Sequence, residues 1–261
     1  MTRHVTSADG TQIAFDLLGE GTPLIVIGGL LCDRQRMRDL AEQFAKRFSV
    51  INYDRRGRGA SGDTAPYALD REVEDLAALI AEAGGSAAVY GHSSGAGLAL
   101  NAAASGLPIT RLVLHEPPYG PDDAESARGS RDLAEGVRAA LAGGGRAEAI
   151  AMFFAATGMP PEVADEMAGD PHMQAMAPTM VYDFEVMGDF ACGGVIPKDL
   201  VRAIKAPTLV VAGETSPDFF RDTAAALAAI LPNAQHVLLE GHDHAAPAEV
   251  VAPVVGAFLT A

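Results

Sequence analysis

Short apolar runs alternate with amphipathic stretches along the first and last thirds of the chain. The runs 23–27 and 87–90 are continuously apolar, which is typical of strands buried on both faces of a parallel sheet. Similar runs recur along these two regions. The pattern therefore predicts strands at 12–18, 23–27, 48–53, 87–90, 112–114, 209–212 and 237–239.

Amphipathic stretches between these runs predict helices near 34–47, 70–83, 94–105, 218–230 and 248–259. In the second of them, Leu69, Val73 and Leu76 share one face, while acidic side chains lie elsewhere on the helix. Strands that alternate with helices imply right-handed crossovers. We therefore predict an α/β fold with a doubly wound, mostly parallel sheet.

The middle of the chain has a different pattern, which is helical and interrupted by the glycines at 143–145 and the prolines at 160–161. It holds seven of the nine methionines: Met152, Met159, Met167, Met173, Met176, Met180 and Met187. Because the segment is inserted between the predicted strands at 112–114 and 209–212, we predict that it forms a helical cap over the sheet. Its unbranched methionines suit an adaptable apolar pocket. The predicted division is a core of 1–117 and 200–261, with a cap of 118–199.

Composition narrows the class of protein. The 261 residues carry 34 acidic against 19 basic side chains, a formal net charge of −15. Nucleic acid and anionic membranes would repel such a chain, so we expect neither as a partner. No apolar run approaches a membrane span, and the first residues lack a signal-like stretch, so a cytoplasmic location is expected. Two cysteines provide no disulfide framework. The composition leaves the oligomeric state undecided, with a homodimer as one option.

The strongest chemical signal is Gly91-His92-Ser93-Ser94-Gly95, a G-x-S-x-G motif between a predicted buried strand and a predicted helix. A serine on a tight strand-to-helix turn needs neighbours without side chains, and both glycines meet that need. The helix that follows directs its N-terminus at developing negative charge. Ser93 is therefore predicted to be a catalytic nucleophile.

With this motif the chain resembles the α/β-hydrolase family. Three further stretches match the family's pattern: 53–62, 206–213 and 239–244. The resemblance implies an α/β-hydrolase fold with the cap inserted between the sixth and seventh strands. It also implies a serine hydrolase, with no cofactor or metal, that cleaves an apolar carboxylic ester or lactone.

Within the first of these stretches, 57–62 is formally G-x-G-x-x-G, the dinucleotide-binding fingerprint. It does not open a helix or lie in the first strand–helix–strand unit, so we reject that interpretation. The arginines of the same loop, Arg55, Arg56 and Arg58, are instead expected to anchor it through salt bridges and hydrogen bonds.

The resemblance also implies an oxyanion hole, built from the backbone N–H groups of Leu30 and Ser94. Gly28 stands where the family usually has a histidine. That histidine shapes the loop, so its absence does not remove the donor from Leu30.

The catalytic base is a choice between two histidines of one loop. His242 follows a glycine, as in the commonest family pattern, whereas His244 matches a subgroup in its spacing to Pro253 and Phe258. We predict His244 as the base and leave His242 as the alternative. A zinc site built on this pair is not expected, because Ala246 follows where further ligands would be needed.

The acid that usually follows the family's seventh strand is replaced by Ser216. Some members of the family take their acid from the end of the sixth strand, where Glu116 lies in this chain. We therefore predict Glu116 as the third member of the triad, with Asp218 and Glu214 as alternatives.

The departures at Gly28 and Ser216 keep a second class of function open. The chain could be a ligand-binding or biosynthetic-accessory protein on a hydrolase scaffold, with weak turnover or none. The same triad would also suit a hydrolase of carbon–carbon bonds.

Overall fold

The computed structural model describes residues 2–261 and contains an eight-stranded sheet with the order β1-β2-β4-β3-β5-β6-β7-β8. The strands β1 and β2 are antiparallel to their neighbours, and the pairings among β3 to β8 are parallel. This confirms the predicted α/β fold with a mostly parallel sheet. The strands, from β1 to β8, are Arg3–Thr6, Gln12–Leu18, Thr22–Ile27, Phe48–Tyr53, Ala87–His92, Ile109–His115, Thr208–Gly213 and Ala234–Leu239.

The strand β1 was not predicted. Its four residues are exposed or half-buried and lack an apolar face, because β1 lies at the edge of the sheet and pairs only with β2. The other seven predicted strands all form, and five of them extend one to three residues beyond at least one predicted end.

Helices cover both faces of the sheet. The core helices are α1 (Arg38–Phe44), α2 (Leu69–Glu82), α3 (Ser94–Ala104), α11 (Asp218–Ile230) and α12 (Ala248–Thr260). Leu24 and Val26 of β3 pack in one apolar cluster with α1 and α12, while Ile25 and Ile27 pack in another with α2, α3 and α11. Alternate side chains of a central strand are thus buried on opposite faces, which explains its unbroken apolar sequence.

The helix α1 is shorter than the predicted 34–47. The carboxylate of Asp33 accepts hydrogen bonds from the amides of Gln35 and Arg36, so these residues form a turn before the helix. Arg34 pairs with Asp16 and Asp54 on neighbouring strand and loop segments. The backbone of Arg34 is bonded outside the helix as well, since its amide donates to Asp54 and its carbonyl accepts from Asn52.

The segment between β6 and β7 is helical in the described chain. Its α-helices, α4 to α10, are Ala124–Ala142, Arg146–Ala156, Pro161–Gly169, Pro171–Met176, Met180–Met187, Asp189–Cys192 and Lys198–Ala203, with a 3-10 turn at Ala177–Thr179. An apolar cluster of this segment, which includes Met173, Met176 and Met180, also takes in Leu31 from the loop after β3. None of the helices within residues 2–261 is both long enough and apolar enough to span a membrane.

The loop after β4 is anchored by its three arginines, as predicted. Arg55 donates to Glu72 of α2 at 2.7 Å and to Asp183 of α8 at 2.6 Å. Arg56 donates to Asp75 of α2 at 2.7 and 2.8 Å. These contacts join the loop to the core and, through α8, to the segment between β6 and β7.

Candidate active site

Ser93 lies on a sharp turn between β5 and α3, with φ 56° and ψ −129°. This backbone conformation is strained for a residue with a side chain, and such strain is found at nucleophile turns. The turn is possible because Gly91 and Gly95 have no side chains. A Cβ on Gly91 would lie 2.4 Å from the Gly95 carbonyl oxygen, and one on Gly95 would lie 2.5 Å from the Ile27 carbonyl oxygen.

His244 and Glu116 form a hydrogen-bonded pair across the carboxyl edge of the sheet. The Nδ1 atom of His244 lies 2.5 Å from Oε2 of Glu116. Glu116 directly follows β6 and is fully buried, and its φ of 49° is in the left-handed region. The other carboxylate oxygen, Oε1, accepts hydrogen bonds from the Gly213 amide at 2.6 Å and the Ser216 hydroxyl at 2.5 Å.

These contacts determine the charge of Glu116. Burial alone would raise the pKa of this carboxyl group. The hydrogen bonds from His244, Ser216 and the Gly213 amide outweigh burial, and the net pKa lies below its ordinary value. The carboxylate is therefore ionised at neutral pH and faces the imidazole with a negative charge.

Two aromatic rings flank His244. The ring of His92 stacks against it at a centroid distance of 4.5 Å, and the ring of Phe220 at 4.7 Å. His92 also places Nε2 3.2 Å from the His244 carbonyl oxygen. Burial, followed by the nearby His244 and His115, lowers the pKa of His92 well below its ordinary value, so His92 stays neutral. The two rings thus hold the plane of the His244 imidazole.

The residues predicted as alternative acids and as the alternative base lie away from the pair of His244 and Glu116. Asp218 is exposed and pairs with Arg221, and Glu214 is exposed and accepts a hydrogen bond from the Gly241 amide at 2.8 Å. His242 is outside the set of residues that line the cavity at Ser93. The roles of these residues stay predictions, but the geometry pairs His244 with Glu116.

Sequence reasoning missed three contributors to this pair. Ser216 was interpreted only as the loss of an acid, whereas its hydroxyl donates to the Glu116 carboxylate after the neighbouring strand. His92 was not predicted to contact the base, although its place within G-x-S-x-G could have linked it to the site. Phe220 carries no sequence signal, because its contact with His244 depends on how α11 packs.

The loop after β3 approaches Ser93 closely. A Cβ on Gly29 would lie 2.8 Å from the Ser93 Cβ, so only glycine fits there. A Cβ on Gly28 would lie 2.9 Å from the Cys32 Cβ, so the loop is too tight for a larger residue without a shift. Leu30 and Ser94, the predicted oxyanion donors, line the same cavity as Ser93 and His244.

This cavity has a volume of about 790 Å³ and lies between the sheet and the helices that precede β7. Most of its wall is apolar, including Phe153, Phe154, Met159, Met167, Met173, Phe184, Met187, Phe219 and Phe220. One polar pair in the wall is Asp189 with its hydrogen-bond donor Ser130. Burial raises the pKa of Asp189 to about 6 despite that hydrogen bond.

A pocket of this size can hold a molecule of moderate size, and its wall favours apolar groups. Within residues 2–261, no three His, Cys, Asp or Glu side chains are grouped as a metal site. The serine hydroxyl of Ser93 and the imidazole of His244 line this apolar cavity, and the Glu116 carboxylate contacts the imidazole from behind the wall.

Comparison with known proteins gives a family and several relatives. The sequence model of the alpha/beta hydrolase family matches residues 25–254. The solved structure of an alpha/beta hydrolase from Sphaerobacter thermophilus is 46% identical, with a TM-score of 0.87 over 98% of this chain and 100% of that one. A thermophilic esterase from Thermogutta terrifontis is 25% identical, with a TM-score of 0.75 over 100% of this chain and 98% of its own.

A curated relative gives a shorter match. N-formylmaleamate deformylase from Pseudomonas putida is 38% identical over 104 residues, which are 38% of this chain and 39% of that protein. The match thus spans well under half of the deformylase.

Proposed function

Since the chain belongs to the alpha/beta hydrolase family, we propose that it cleaves an apolar carboxylic ester or lactone through a serine-bound acyl intermediate. The observation that carries this proposal is the pair of buried Glu116 and half-buried His244, whose imidazole lines the same cavity as the strained Ser93. A nucleophile, a base and an orienting acid are the three parts that acyl transfer by a serine requires.

In the first step, the Ser93 hydroxyl attacks the carbonyl carbon of the substrate while Nε2 of His244 accepts its proton. The resulting imidazolium is stabilised by the ionised Glu116, which also fixes the proton on Nδ1. The tetrahedral oxyanion is stabilised by the N–H groups of Leu30 and Ser94.

The intermediate collapses when the carbon–oxygen bond of the ester breaks and His244 returns its proton to the departing alkoxide. The acyl group then remains on Ser93. Water attacks this acyl-enzyme with His244 again as the base, and the acid product leaves with Ser93 restored.

The wall of the cavity supports an apolar substrate. Its charged residues are Arg36, Asp39, Asp183 and Asp189, and the negative charge of Asp183 is balanced by two buried arginines. An anionic group would thus meet more negative than positive charge. Flexible methionines let the wall adapt to different acyl or alkyl groups.

Hydrolysis of an N-formyl amide is a second candidate, favoured by the 38% identity to N-formylmaleamate deformylase over 104 residues. The same triad could attack a formyl carbonyl. The acidic and apolar wall favours a neutral formyl amide over an anionic one.

The nucleophile can be tested with Ser93→Ala. We expect hydrolysis of p-nitrophenyl esters to fall by at least about 10³-fold, because only binding and oxyanion stabilisation would remain. Rapid labelling by a fluorophosphonate should also disappear. Ser130→Ala is the matched control, since Ser130 lines the same cavity but donates to Asp189 rather than to a histidine.

Retention of more than a few per cent of activity in Ser93→Ala would contradict the mechanism. A folded parent protein that hydrolyses no ester, lactone or formyl amide and resists the fluorophosphonate would instead favour a ligand-binding role. A panel of esters of increasing chain length, with lactones and formyl amides beside them, distinguishes the substrate classes.

A further inference from the structure

A buried arginine contacts the loop that carries the proposed oxyanion donor. Arg58 is 1% exposed, and its Nη1 donates to the Gly29 carbonyl at 2.7 Å and to the Cys32 carbonyl at 3.2 Å. Its Nε donates to the Thr179 hydroxyl at 3.0 Å, and its Nη2 donates to Asp183 at 2.5 Å. All sides of the guanidinium group therefore have partners, so its position is tightly defined.

The Gly29 carbonyl accepts hydrogen bonds from Arg58 and, at 3.1 Å, from the Cys32 amide, and together they determine the direction of the next amide. In a trans peptide, the carbonyl oxygen and the N–H point in opposite directions. Because the Gly29 oxygen faces Arg58, the Leu30 N–H faces away from Arg58. Gly29 packs against Ser93 and Leu30 lines the cavity, so this N–H is directed to the side where the oxyanion would form.

The loop needs such a restraint. Leu31 has a φ of 54°, in the left-handed region that costs energy for a residue with a branched side chain. A strained conformation of this kind persists only where surrounding contacts enforce it. The hydrogen bonds of Arg58 to both ends of the Gly29–Cys32 turn supply that enforcement, together with the turn's own bond from the Cys32 amide to the Gly29 carbonyl.

The second proposed donor is tied to the same cluster. Asp183 of α8 is 1% exposed and accepts a hydrogen bond from the Ser94 hydroxyl at 2.6 Å through Oδ1. The same carboxylate binds Arg55 at 2.6 Å and Arg58 at 2.5 Å. Burial would raise the pKa of Asp183, but the two arginines outweigh it and the pKa lies below its ordinary value, so the charge is retained.

We propose that Arg58 and Asp183 are positioning residues of the oxyanion hole. Arg58 turns the Leu30 amide toward the cavity, and Asp183 holds Arg58 and Ser94 at once, so α8 sets the spacing of the two donors. This inference rests on the proposed function. Oxyanion donors must lie about 2.7–3.1 Å from the developing charge, and a misplacement near 1 Å costs about 10²-fold in rate.

The test variant is Arg58→Lys. Lysine keeps the positive charge beside Asp183 but is a single point donor, so it cannot also hold the Gly29 and Cys32 carbonyls. Arg56→Lys is the matched control, since Arg56 is equally buried in the same loop and pairs with Asp75 and Asp9. Ser94→Ala is a milder second variant that removes only the hydroxyl contact with Asp183.

Two inhibitors of equal chain length separate positioning from general damage. An alkylboronic acid forms a tetrahedral adduct with Ser93 that uses the oxyanion donors, whereas the matching alkyl carboxylate is planar. For Arg58→Lys we expect boronate affinity and kcat to fall about 10- to 100-fold. Carboxylate affinity and KM should change by less than about threefold, because the lost contact acts in the transition state.

For Ser94→Ala we expect a smaller fall in the same direction. Unchanged boronate affinity in a folded Arg58→Lys protein would overturn the inference. So would an equal loss of boronate affinity in Arg56→Lys, which would indicate general damage to the loop.

The amide resonance of Leu30 in ¹⁵N-labelled protein reports on the same peptide without any substrate. We expect it to shift in Arg58→Lys and to stay in place in Arg56→Lys. If the shift occurs in a protein that hydrolyses no ester and binds no boronate, the proposed function is wrong while the placement of the amide stands. An unshifted resonance would overturn the placement itself.

Discussion

Glu116 carries a negative charge at a place that solvent does not reach. A buried carboxylate is costly unless hydrogen bonds and a nearby cation compensate for lost hydration. Here an amide, a hydroxyl and an imidazole share that task, and the hydroxyl comes from Ser216. The serine that stands in the family's usual acid position therefore stabilises the carboxylate that follows the adjacent strand.

The role of Glu116 can be tested with Glu116→Gln. The amide is neutral and offers the imidazole the wrong balance of donor and acceptor, so we expect kcat to fall by about 10⁴-fold. KM should change little, because the contact matters most when His244 is cationic. Steady-state ester hydrolysis measures both constants.

Asp218→Asn is the control for this variant, and we expect it to stay within about tenfold of the parent. Collapse of activity in Asp218→Asn, with activity retained in Glu116→Gln, would place the acid after β7 instead. Folding of Glu116→Gln must be checked by thermal unfolding, since an unpaired buried group costs about 1–3 kcal/mol.

The pH dependence of stability gives an independent measure of Glu116. Its pKa in the folded protein lies below the ordinary 4.5. The unfolded chain therefore binds the proton first as the pH falls. The stability that Glu116 contributes is present above about pH 4.5 and is lost as the pH falls through the folded-state pKa. The difference in unfolding free energy between the parent protein and Glu116→Gln should therefore become smaller as the pH falls below about 4.5, as chemical denaturation at a series of pH values would show.

At the scale of elements, the strand-to-helix turn at Ser93 depends on close backbone contact. The first residues of α3 pack against β5 and the end of β3, and a Cβ on Gly91 would lie 2.6 Å from the Ala96 Cα. Neither backbone segment can shift without moving Ser93. The strained φ of Ser93 is thus imposed by the packing of a helix on two strands.

Gly91→Ala should therefore distort the turn. We expect a loss of about 1–3 kcal/mol in unfolding free energy and a marked fall in kcat. The matched control is Gly129→Ala in α4, where a new Cβ meets nothing within 4 Å. Alanine at that helical position should raise stability by up to about 1 kcal/mol. Chemical denaturation measures both, and a fully active, stable Gly91→Ala protein would contradict the argument.

At the scale of the whole molecule, a buried ionic cluster joins the helices before β7 to the core. Arg55 binds Glu72 of α2 and Asp183 of α8, and all three side chains are at most 2% exposed. The rings of Tyr67 and Tyr182 stack beside this cluster at a centroid distance of 3.8 Å. Separating α8 from the sheet would leave buried charges without partners.

We therefore expect the core and the helices before β7 to unfold in a single transition. Leaving such a charge buried and unpaired costs about 3–5 kcal/mol, which opposes independent opening of α8. Differential scanning calorimetry tests this through the ratio of the calorimetric to the van't Hoff enthalpy, which should be close to one. Two resolved transitions would show that the ionic cluster does not couple the two parts.

The sequence by itself determined the alternation of strands and helices, because apolar periodicity reflects burial at short range. It also indicated Ser93, since a nucleophile turn needs glycines within two residues of the serine. The edge strand β1 escaped prediction because an exposed strand has no apolar pattern. The start of α1 was overextended because the backbone of Arg34 bonds to Asp54 and Asn52 instead.

Only the tertiary structure decided which distant residues meet. His244 and Glu116 are 128 positions apart, and Ser94 and Asp183 are 89 positions apart. Their contacts depend on the order of strands in the sheet and on the packing of α8, which no local pattern encodes. For that reason the sequence left Asp218 and Glu214 as alternative acids, and it offered no sign that a carboxylate before β7 holds the two proposed oxyanion donors.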